Sequence, residues 1–575
     1  MSSSLKKDLR SLLLKPSYII PVLLTAALSY GFFCAQDSVG IDDLTADRYS
    51  VWGSELFSQG RFTAPLMHMF LGLTRPVPWF LNALSLVLMI LAGAIMCVIL
   101  YDAASRRLPA VALTVFSCVY LSYPMVNEIF VYYGGNLNTA VGFVLTALAV
   151  YLTQKWDETR KKKYLVFTGL IMLCVTSLYE SFCAVFIVLT VARFILKFYY
   201  SGDERYVKPG KAIVNGLIIM IPLAAAVVAE AAGGKLLQVV FSVPPTSYDA
   251  QVPAWFGENS FKEIVENYFE VFVFYYILPF EKYLPVRLLD LTVIAVTVAA
   301  VVEGIRKKNA TVALEYIALT LSLFALGVVA GHPIAPRSSH SYFSLYIAFA
   351  LTLALTAVIS AAKRAKAPAV TKTVRVSAVA LCFLLVFAQC NDLNTWLSLE
   401  VQRYDYEKRL ASSIAEELIA NYDLENNRVV IVGYDKLPDQ ISEQISVYTD
   451  DPIVARTANA IEALGNKEFA DKVRTLIDSP DGSYRFIRNS IRPYLGWSTL
   501  AFGDVNVETE KFLSYLGYDI DLDNSPEARG AVFYDFLPAY PAKGSVTQDV
   551  DMIIVNLGSY PEAAFSSEKD SRNAE

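Results

Sequence analysis

Two adjacent aspartates, Asp42 and Asp43, follow the first apolar segment of the sequence by only a few residues. In one interpretation they begin a solvated helix, because acidic side chains favour the positive end of a helix dipole. In the other they supply a general base at a membrane surface, since adjacent carboxylates raise one another's pKa towards neutrality. The residue types fit both interpretations, and both stay open at this point.

Four further polar residues are candidates for chemistry. Glu128 and Glu180 fall at the ends of apolar segments, where a carboxylate faces a cavity or pairs with an arginine. Arg337 has the planar fork that holds phosphate through two hydrogen bonds, or else touches lipid phosphate as an ordinary interfacial arginine. His340 lies in the same loop, and its spacing from His332 is not that of a metal site.

The chain that positions these residues is 575 residues long, so at least two structural units are expected. Hydrophobic residues make up 55% and charged residues only 18%, with a mean hydropathy of +0.41. A soluble protein carries about a quarter charged residues. The seven cysteines form no CxxC pair, which argues against a zinc site or a disulfide framework. The composition predicts an integral membrane protein without a nucleic-acid-binding surface.

Apolar segments of about the 20 residues that cross a bilayer recur before residue 392. We predict eleven spans: 17–35, 79–101, 108–124, 135–153, 164–180, 182–199, 212–232, 286–304, 310–331, 341–361 and 374–391. The run 164–199 is too long for one span, so a tight turn is expected at Glu180 and Ser181. Residues 268–280 are apolar but short, and we predict an interfacial or re-entrant helix there.

Lysine and arginine cluster at the N-terminus and in every second loop, as cytoplasmic loops do in membrane proteins. The N-terminus is therefore predicted inside and the C-terminal part outside. In the first outer loop, 36–78, Asp43 begins a predicted helix that runs to about Gln59, with Gly60 as its stop. A second amphipathic stretch, about 62–73, is expected to lie along the membrane surface.

The segments GIDDLTADRY, SQGRF, SLYES and APRS, with an extracytoplasmic tail, resemble the bacterial membrane glucosyltransferases of the O-antigen-modifying Gtr type II group. The resemblance covers about 17–391, and its most distinctive part is DD followed about 17 residues later by GR. It implies the class C glycosyltransferase architecture. It also implies transfer of a hexose, glucose, from a polyprenyl-phosphate donor to a cell-surface polysaccharide or glycolipid on the outer face of the bacterial cytoplasmic membrane, without a cofactor.

The resemblance also implies roles for individual residues. Asp43 is the expected general base, with Asp42 orienting it, and Arg61 matches the GR of the family pattern and shapes the pocket. Arg337 is expected to stabilise the departing lipid phosphate. The remaining substrate-binding candidates are Glu128, Glu180 and His340. Because residues 1–391 contain no DxD motif, a nucleotide-sugar donor with a bound metal ion is not expected.

Residues 392–575 have the composition of a soluble domain. We predict a long helix directly after the last span, strands at 428–433, 530–537 and 552–558, and helices at 466–477 and 508–517. The pattern is typical of a small α/β domain. Such a domain covers the active site, grips a polymeric acceptor or acts as a structural cap, and the sequence does not choose among these.

The sequence thus predicts a polytopic α-helical membrane protein with about eleven transmembrane helices (residues 1–391) and an extracytoplasmic α/β domain (392–575). The alternative function is a transporter or flippase of lipid-linked saccharides without transferase activity. Transporters usually contain internal repeats and ionisable residues near the midplane. We find no repeat, and the ionisable residues cluster at the predicted outer edge. A polysaccharide polymerase would need a large arginine-containing outer loop between the late spans, which this chain lacks.

Overall fold

The computed structural model describes residues 3–36, 38–40, 56, 59–71, 78–124, 133–242, 284–326, 341–364, 368–433, 507–523 and 536–558, together with a few single positions between 459 and 471 and between 525 and 529. The chain forms two compact units. The first comprises Met1–Gln36 and Asp47–Thr395, and the second comprises Asp37–Ala46 and Trp396–Glu575. The predicted domain boundary at residue 391 stays a prediction.

The first unit is helical throughout its described residues. Its helices are α1 (Ser3–Leu13), α2 (Pro16–Cys34), α3 (Thr63–Phe70), α4 (Pro78–Ala103), α5 (Ala110–Ser122), α6 (Tyr133–Thr159), α7 (Lys163–Thr176), α8 (Phe182–Tyr200), α9 (Glu204–Val207), α10 (Pro209–Phe241), α11 (Leu284–Lys307), α12 (Ala310–Leu321), α13 (Phe343–Arg364) and the first part of α14 (Pro368–Asn421). A 3₁₀ turn, Ser322–Phe324, follows α12.

Among the described residues, seven helices are long and apolar enough to cross a membrane: α2, α4, α6, α8, α10, α13 and α14. Three shorter apolar helices correspond to α5, α7 and α12. A helix occurs at each of the eleven predicted spans. The chain is therefore a mostly helical, multi-pass membrane protein, while the count of eleven crossings stays a prediction.

Local sequence signals begin several of these helices. Pro16 and Pro209 occupy the first positions of α2 and α10, where the missing N–H costs nothing and the fixed φ suits a helix. Asn309 caps α12 by accepting a hydrogen bond from the Thr311 amide at 2.9 Å. Between α7 and α8 the chain turns at residues 177–181. The predicted turn at Glu180 is thus confirmed.

The helices of the first unit pack side by side. α4 packs along α6, α6 along α7, and α7 along α10, while α5 lies between α2 and α13. Three aromatic rings pack edge-to-face between α5, α6 and α8. The ring centroids of Tyr120 and Phe143 are 5.3 Å apart, and those of Phe143 and Phe182 are 5.2 Å apart. Such pairs contribute about 0.5–1.5 kcal/mol each beyond their buried area. The packing fixes the turn between α7 and α8 relative to α10.

A buried ionic cluster joins the C-terminal parts of α6 and α8. Asp157 accepts hydrogen bonds from Arg205 and Tyr206 on α9, and its Oδ2 lies 3.2 Å from Nη2 of Arg193. Arg193 is fully buried within α8. Arg193 therefore does not belong to the basic loops from which the orientation was predicted. Its charge instead joins two helices, and unpaired burial of that charge would be costly.

Helix α14 is 54 residues long, about 80 Å at 1.5 Å per residue, and so exceeds the roughly 30 Å hydrocarbon core of a bilayer. The predicted last span and the helix expected after it are one continuous element, because neither glycine nor proline follows Pro368 within it. In its second half Arg403 is buried between Glu400 and Glu407. Glu400 also accepts a hydrogen bond from Ser38 at 3.1 Å.

The rest of the second unit contains β1 (Arg428–Val432), α15 (Val507–Tyr515), β2 (Val546–Asp549) and β3 (Met552–Asn556). β3 is central, parallel to β1 and antiparallel to β2. The apolar core beside this sheet is a cluster of Val430, Val432, Ala528 and Ile554. The predicted strands at 428–433 and 552–558 and the helix at 508–517 are confirmed. Most of 466–477 and 530–537 lies outside the described residues.

Candidate active site

The GR pair of the first predicted outer loop sits at the end of a helical turn. Leu56 is helical, Gly60 has φ +75°, and the Arg61 amide donates to the Leu56 carbonyl at 2.7 Å. A left-handed glycine followed by this long backbone bond is a Schellman motif, which ends helices. The prediction that Gly60 stops a helix is confirmed at this end, while the predicted start at Asp43 lies outside the described residues.

Arg61 forms a two-point ion pair with Glu180. Its Nε donates to Glu180 Oε1 at 3.3 Å and its Nη2 donates to Oε2 at 3.1 Å. The guanidinium also lies over the ring of Tyr179, 4.7 Å from the ring centroid. Both charged side chains are largely shielded, with 13% of Arg61 and 27% of Glu180 exposed. A planar fork meeting a carboxylate at two points fixes orientation as well as distance, which a lysine does not do.

The α7–α8 turn carries Glu180 and is docked directly onto the start of α3. The Thr63 amide donates to the Ser177 carbonyl at 3.2 Å, and the two hydroxyl oxygens of these residues are 2.5 Å apart. Leu178 packs in an apolar cluster with Leu56 and Ala64. Hydrogen bonds and apolar contacts on both sides of Arg61 therefore hold its ion pair in place.

Helix α10 supplies a second carboxylate that the sequence analysis did not single out. Glu230 is 8% exposed, and its Oε1 lies so close to the Gly60 Cα that a Cβ there would overlap it. One turn further along α10, Gly233 lies against the ring of Phe62. The missed signal was an acid in the apolar run of α10, since a carboxylate at membrane depth is costly and usually functional.

Arg61, Glu180 and Glu230 form one electrostatic unit, which we refer to as the Arg61 triad. The charges of Glu180 and Arg61 are close enough to act on Glu230. Its one guanidinium is matched by the Glu180 carboxylate, and Glu230 adds a second acidic group. Among the described residues, no hydrogen bond or ion pair reaches the Glu230 carboxylate.

Buried polar side chains extend this site towards α4 and α6. Asn136 donates to Asn82 and accepts from Ser85 at 3.2 Å, and all three are almost fully buried. On α3, His68 Nε2 lies 3.2 Å from Asn138 Oδ1. These hydrogen bonds join residues that are far apart in sequence. Here they hold the ends of α4 and α6 and the short helix α3 that follows the GR pair.

The structure brings two predicted site residues together, Arg61 and Glu180, although 119 positions separate them in sequence. The other predicted site residues, Asp42, Asp43, Glu128, Arg337 and His340, lie outside the described residues. Their roles stay predictions.

The sequence pattern of the glucosyl transferase GtrII family matches residues 31–339, which is more than half of the chain. The matched range includes the whole Arg61 triad and both adjacent aspartates. A comparison with curated proteins gave no match. The match confirms the resemblance inferred from the DD and GR segments, and it makes the protein a glycosyltransferase. The chain belongs to the GtrII family of glucosyl transferases.

Proposed function

We propose that this glucosyltransferase moves glucose from a polyprenyl-phosphate carrier to a cell-surface polysaccharide or glycolipid on the outer face of the bacterial cytoplasmic membrane. The observation that carries the proposal is the Arg61–Glu180 pair, held between α3 and the α7–α8 turn inside the range matched by the family. A lipid-linked donor presents its headgroup at the membrane surface. A shielded polar site at the ends of apolar helices suits such a donor.

The proposed chemistry is a single displacement at the anomeric carbon of glucose. A hydroxyl oxygen of the acceptor attacks this carbon, and the bond between the carbon and the phosphate oxygen breaks. The polyprenyl phosphate leaves with the bonding electrons, and the proton of the acceptor hydroxyl passes to a carboxylate of the protein. We assign this general base to Asp43, with Asp42 orienting it. The reaction needs no cofactor.

The remaining predicted residues take binding roles in this proposal. Arg337 holds the phosphate and stabilises the negative charge that develops there as the bond breaks, because a guanidinium matches two phosphate oxygens. His340 lies three residues further along and contacts the same substrate end. Glu128 and Glu180 contact the sugar or the acceptor, and Arg61 keeps Glu180 in place.

The proposed topology follows from the distribution of basic residues. The N-terminus and the lysine- and arginine-rich loops are cytoplasmic, and residues 392–575 are extracytoplasmic. Under this topology the α7–α8 turn and the GR pair both fall on the outer side, where the acceptor is.

The test is transfer by purified protein in detergent or liposomes, with radiolabelled polyprenyl-phosphate glucose and a membrane polysaccharide acceptor. Wild type is compared with Asp43→Asn and Asp42→Asn, which keep the side-chain size and remove the basic oxygen. Loss of a general base typically lowers the rate about 10²–10⁴-fold.

We expect this loss in Asp43→Asn and a smaller one in Asp42→Asn. Equal turnover by both variants and wild type would remove the aspartates from the mechanism. If wild type moves no sugar from any lipid-linked donor but carries lipid-linked saccharide across liposome membranes, the transporter alternative replaces the proposal.

A further inference from the structure

Glu230 is a buried ionisable group of the matched region that the proposed mechanism leaves without a role. It lies in α10, in an otherwise apolar run, 8% exposed and packed on Gly60. A carboxylate in such a place is destabilising unless donors reach it. Among the described residues the structure records no donor to either of its oxygens. Its position beside the Arg61–Glu180 pair makes it available to hydrogen-bonding groups of a ligand.

The charge of the Arg61 triad decides which ligand groups fit. The guanidinium of Arg61 is already matched by the Glu180 carboxylate, and Glu230 adds a second acidic group, so the triad offers a phosphodiester no net positive charge. Nε and Nη2 of Arg61 already donate to Glu180, so this edge of the guanidinium is not presented to a phosphate. Neutral hydroxyl groups are the donors that suit the site. A phosphate-binding role for Arg61 is therefore disfavoured.

Both carboxylates have capacity for hydroxyl groups. An ionised carboxylate has about four acceptor positions, and the Arg61 bonds recorded for Glu180 occupy one on each oxygen. Glu180 is partly exposed, whereas Glu230 is buried and packed on Gly60. Two carboxylates that contact adjacent residues of the chain can hold different hydroxyl groups of one sugar ring.

We propose that Glu230 and Glu180 bind hydroxyl groups of the glucosyl unit of the lipid-linked donor, with Arg61 fixing Glu180 and Gly60 leaving space for Glu230. This inference rests on the proposed function, because it takes the donor to be polyprenyl-phosphate glucose. It assigns to the triad the recognition of the sugar and leaves the phosphate to other residues.

The test measures binding first, so that it does not depend on turnover. A short-chain polyprenyl-phosphate glucose and the same polyprenyl phosphate without glucose are titrated into purified wild type, Glu230→Gln and Glu180→Gln. The readout is the dissociation constant and the rise in the midpoint of thermal unfolding. The matched control is Glu204→Gln, since Glu204 lies in α9 and pairs with Lys208 and Lys211 away from the triad.

We expect wild type to bind the glucosylated lipid more tightly than the bare lipid phosphate. Glu230→Gln should lose about tenfold to hundredfold of this preference, the value of one hydrogen bond to a charged group, without weaker binding of the bare lipid phosphate. Glu204→Gln should keep the full preference. Equal affinity of wild type for both lipids, or an unchanged preference in Glu230→Gln, would overturn the inference.

Donors with single hydroxyl groups removed give a second readout that does not depend on how the variant folds. Wild type should bind one of the 2-, 3-, 4- or 6-deoxyglucosyl lipids at least about tenfold more weakly than the glucosyl lipid. Glu230→Gln should lose little further affinity when the same hydroxyl group is removed from the donor. Additive losses with every deoxy donor would refute contact between Glu230 and the sugar. Sugar-dependent binding without any transfer would instead refute the proposed reaction while leaving this inference standing.

Discussion

Replacing Gly60 by alanine separates backbone strain from the contact with Glu230, because the chain contains a matched glycine. Gly60 and Gly202 have φ of +75° and +66°. Alanine in this left-handed region costs about 1–2 kcal/mol at either position. A Cβ at Gly202 would have nothing within 4 Å, whereas one at Gly60 would overlap Oε1 of Glu230. The two variants share the strain and differ in the neighbour.

The atom that must move at Gly60 is the end of a flexible side chain, not backbone. The Glu230 carboxylate can therefore withdraw by about 1 Å, and the free energy of unfolding of Gly60→Ala should fall by nearly the same amount as that of Gly202→Ala. Function responds differently, because a 1 Å misplacement of a binding group can cost up to about 10²-fold in rate. We expect Gly60→Ala to lose about tenfold to hundredfold in kcat/KM for the lipid-linked donor.

The assay combines thermal unfolding in detergent, followed by intrinsic fluorescence, with glucosyl transfer at limiting donor. Gly202→Ala should show the stability loss alone. The double variant Gly60→Ala with Glu230→Gln should transfer no more slowly than the worse single variant, because both changes disable the same contact. The reasoning is refuted if Gly60→Ala transfers as fast as Gly202→Ala. A much larger stability loss for Gly60→Ala would show that the loop moves instead of the carboxylate.

Two further predictions concern ionic contacts outside the site. The pKa of Asp203 is lowered from its ordinary value near 3.8, first by its hydrogen bonds from the Arg205 side chain. The carboxylate form is the one stabilised, so this contribution to stability is fully present above pH 3.8 and is lost as pH falls through the lowered pKa. Asp203→Asn should thus lower the midpoint of thermal unfolding at pH 7. In a series of thermal scans at different pH, this effect should become progressively smaller below about pH 4. In the second unit, Arg403→Met leaves Glu400 and Glu407 buried without their cation, and we expect a loss of about 3–5 kcal/mol in denaturant unfolding. Lys408→Met, which breaks a half-exposed pair with Asp405, should cost less than about 1 kcal/mol, and equal losses in the two variants would contradict the burial argument.

The helices could be predicted because each one carries its own signal. An apolar run of span length and a proline at its first position are properties of a short stretch of sequence, as in α2 and α10. The turn at Glu180 followed from length alone. The continuity of α14 was missed because composition changes at residue 391 while helix propensity does not. Strand β2, VTQD, was missed because only its pairing with β3 makes it a strand.

The site could be predicted only in part, because its residues come from distant parts of the chain. Arg61 and Glu180 were both candidates, but no spacing rule joins residues 119 positions apart. Their pairing depends on how α3 docks on the α7–α8 turn. Glu230 carried a signal of its own, an acid within an apolar run, and this signal was not used. Its contact with Gly60 gives a physical reason for the glycine of the GR pair beyond its left-handed φ.

The charge of the Arg61 triad also constrains the rest of the mechanism. Breaking the bond to phosphate develops negative charge on the leaving oxygen, and the triad has no net positive charge to stabilise it, because its one guanidinium is matched by Glu180. Acidic groups beside the sugar favour the positive charge that develops on its ring, as in the oxocarbenium-like transition states of glycosyl cleavage. A cation for the phosphate must then lie outside the triad, which is the role proposed for Arg337. The triad would then act on the sugar end of the breaking bond, and Arg337 would act on its phosphate end.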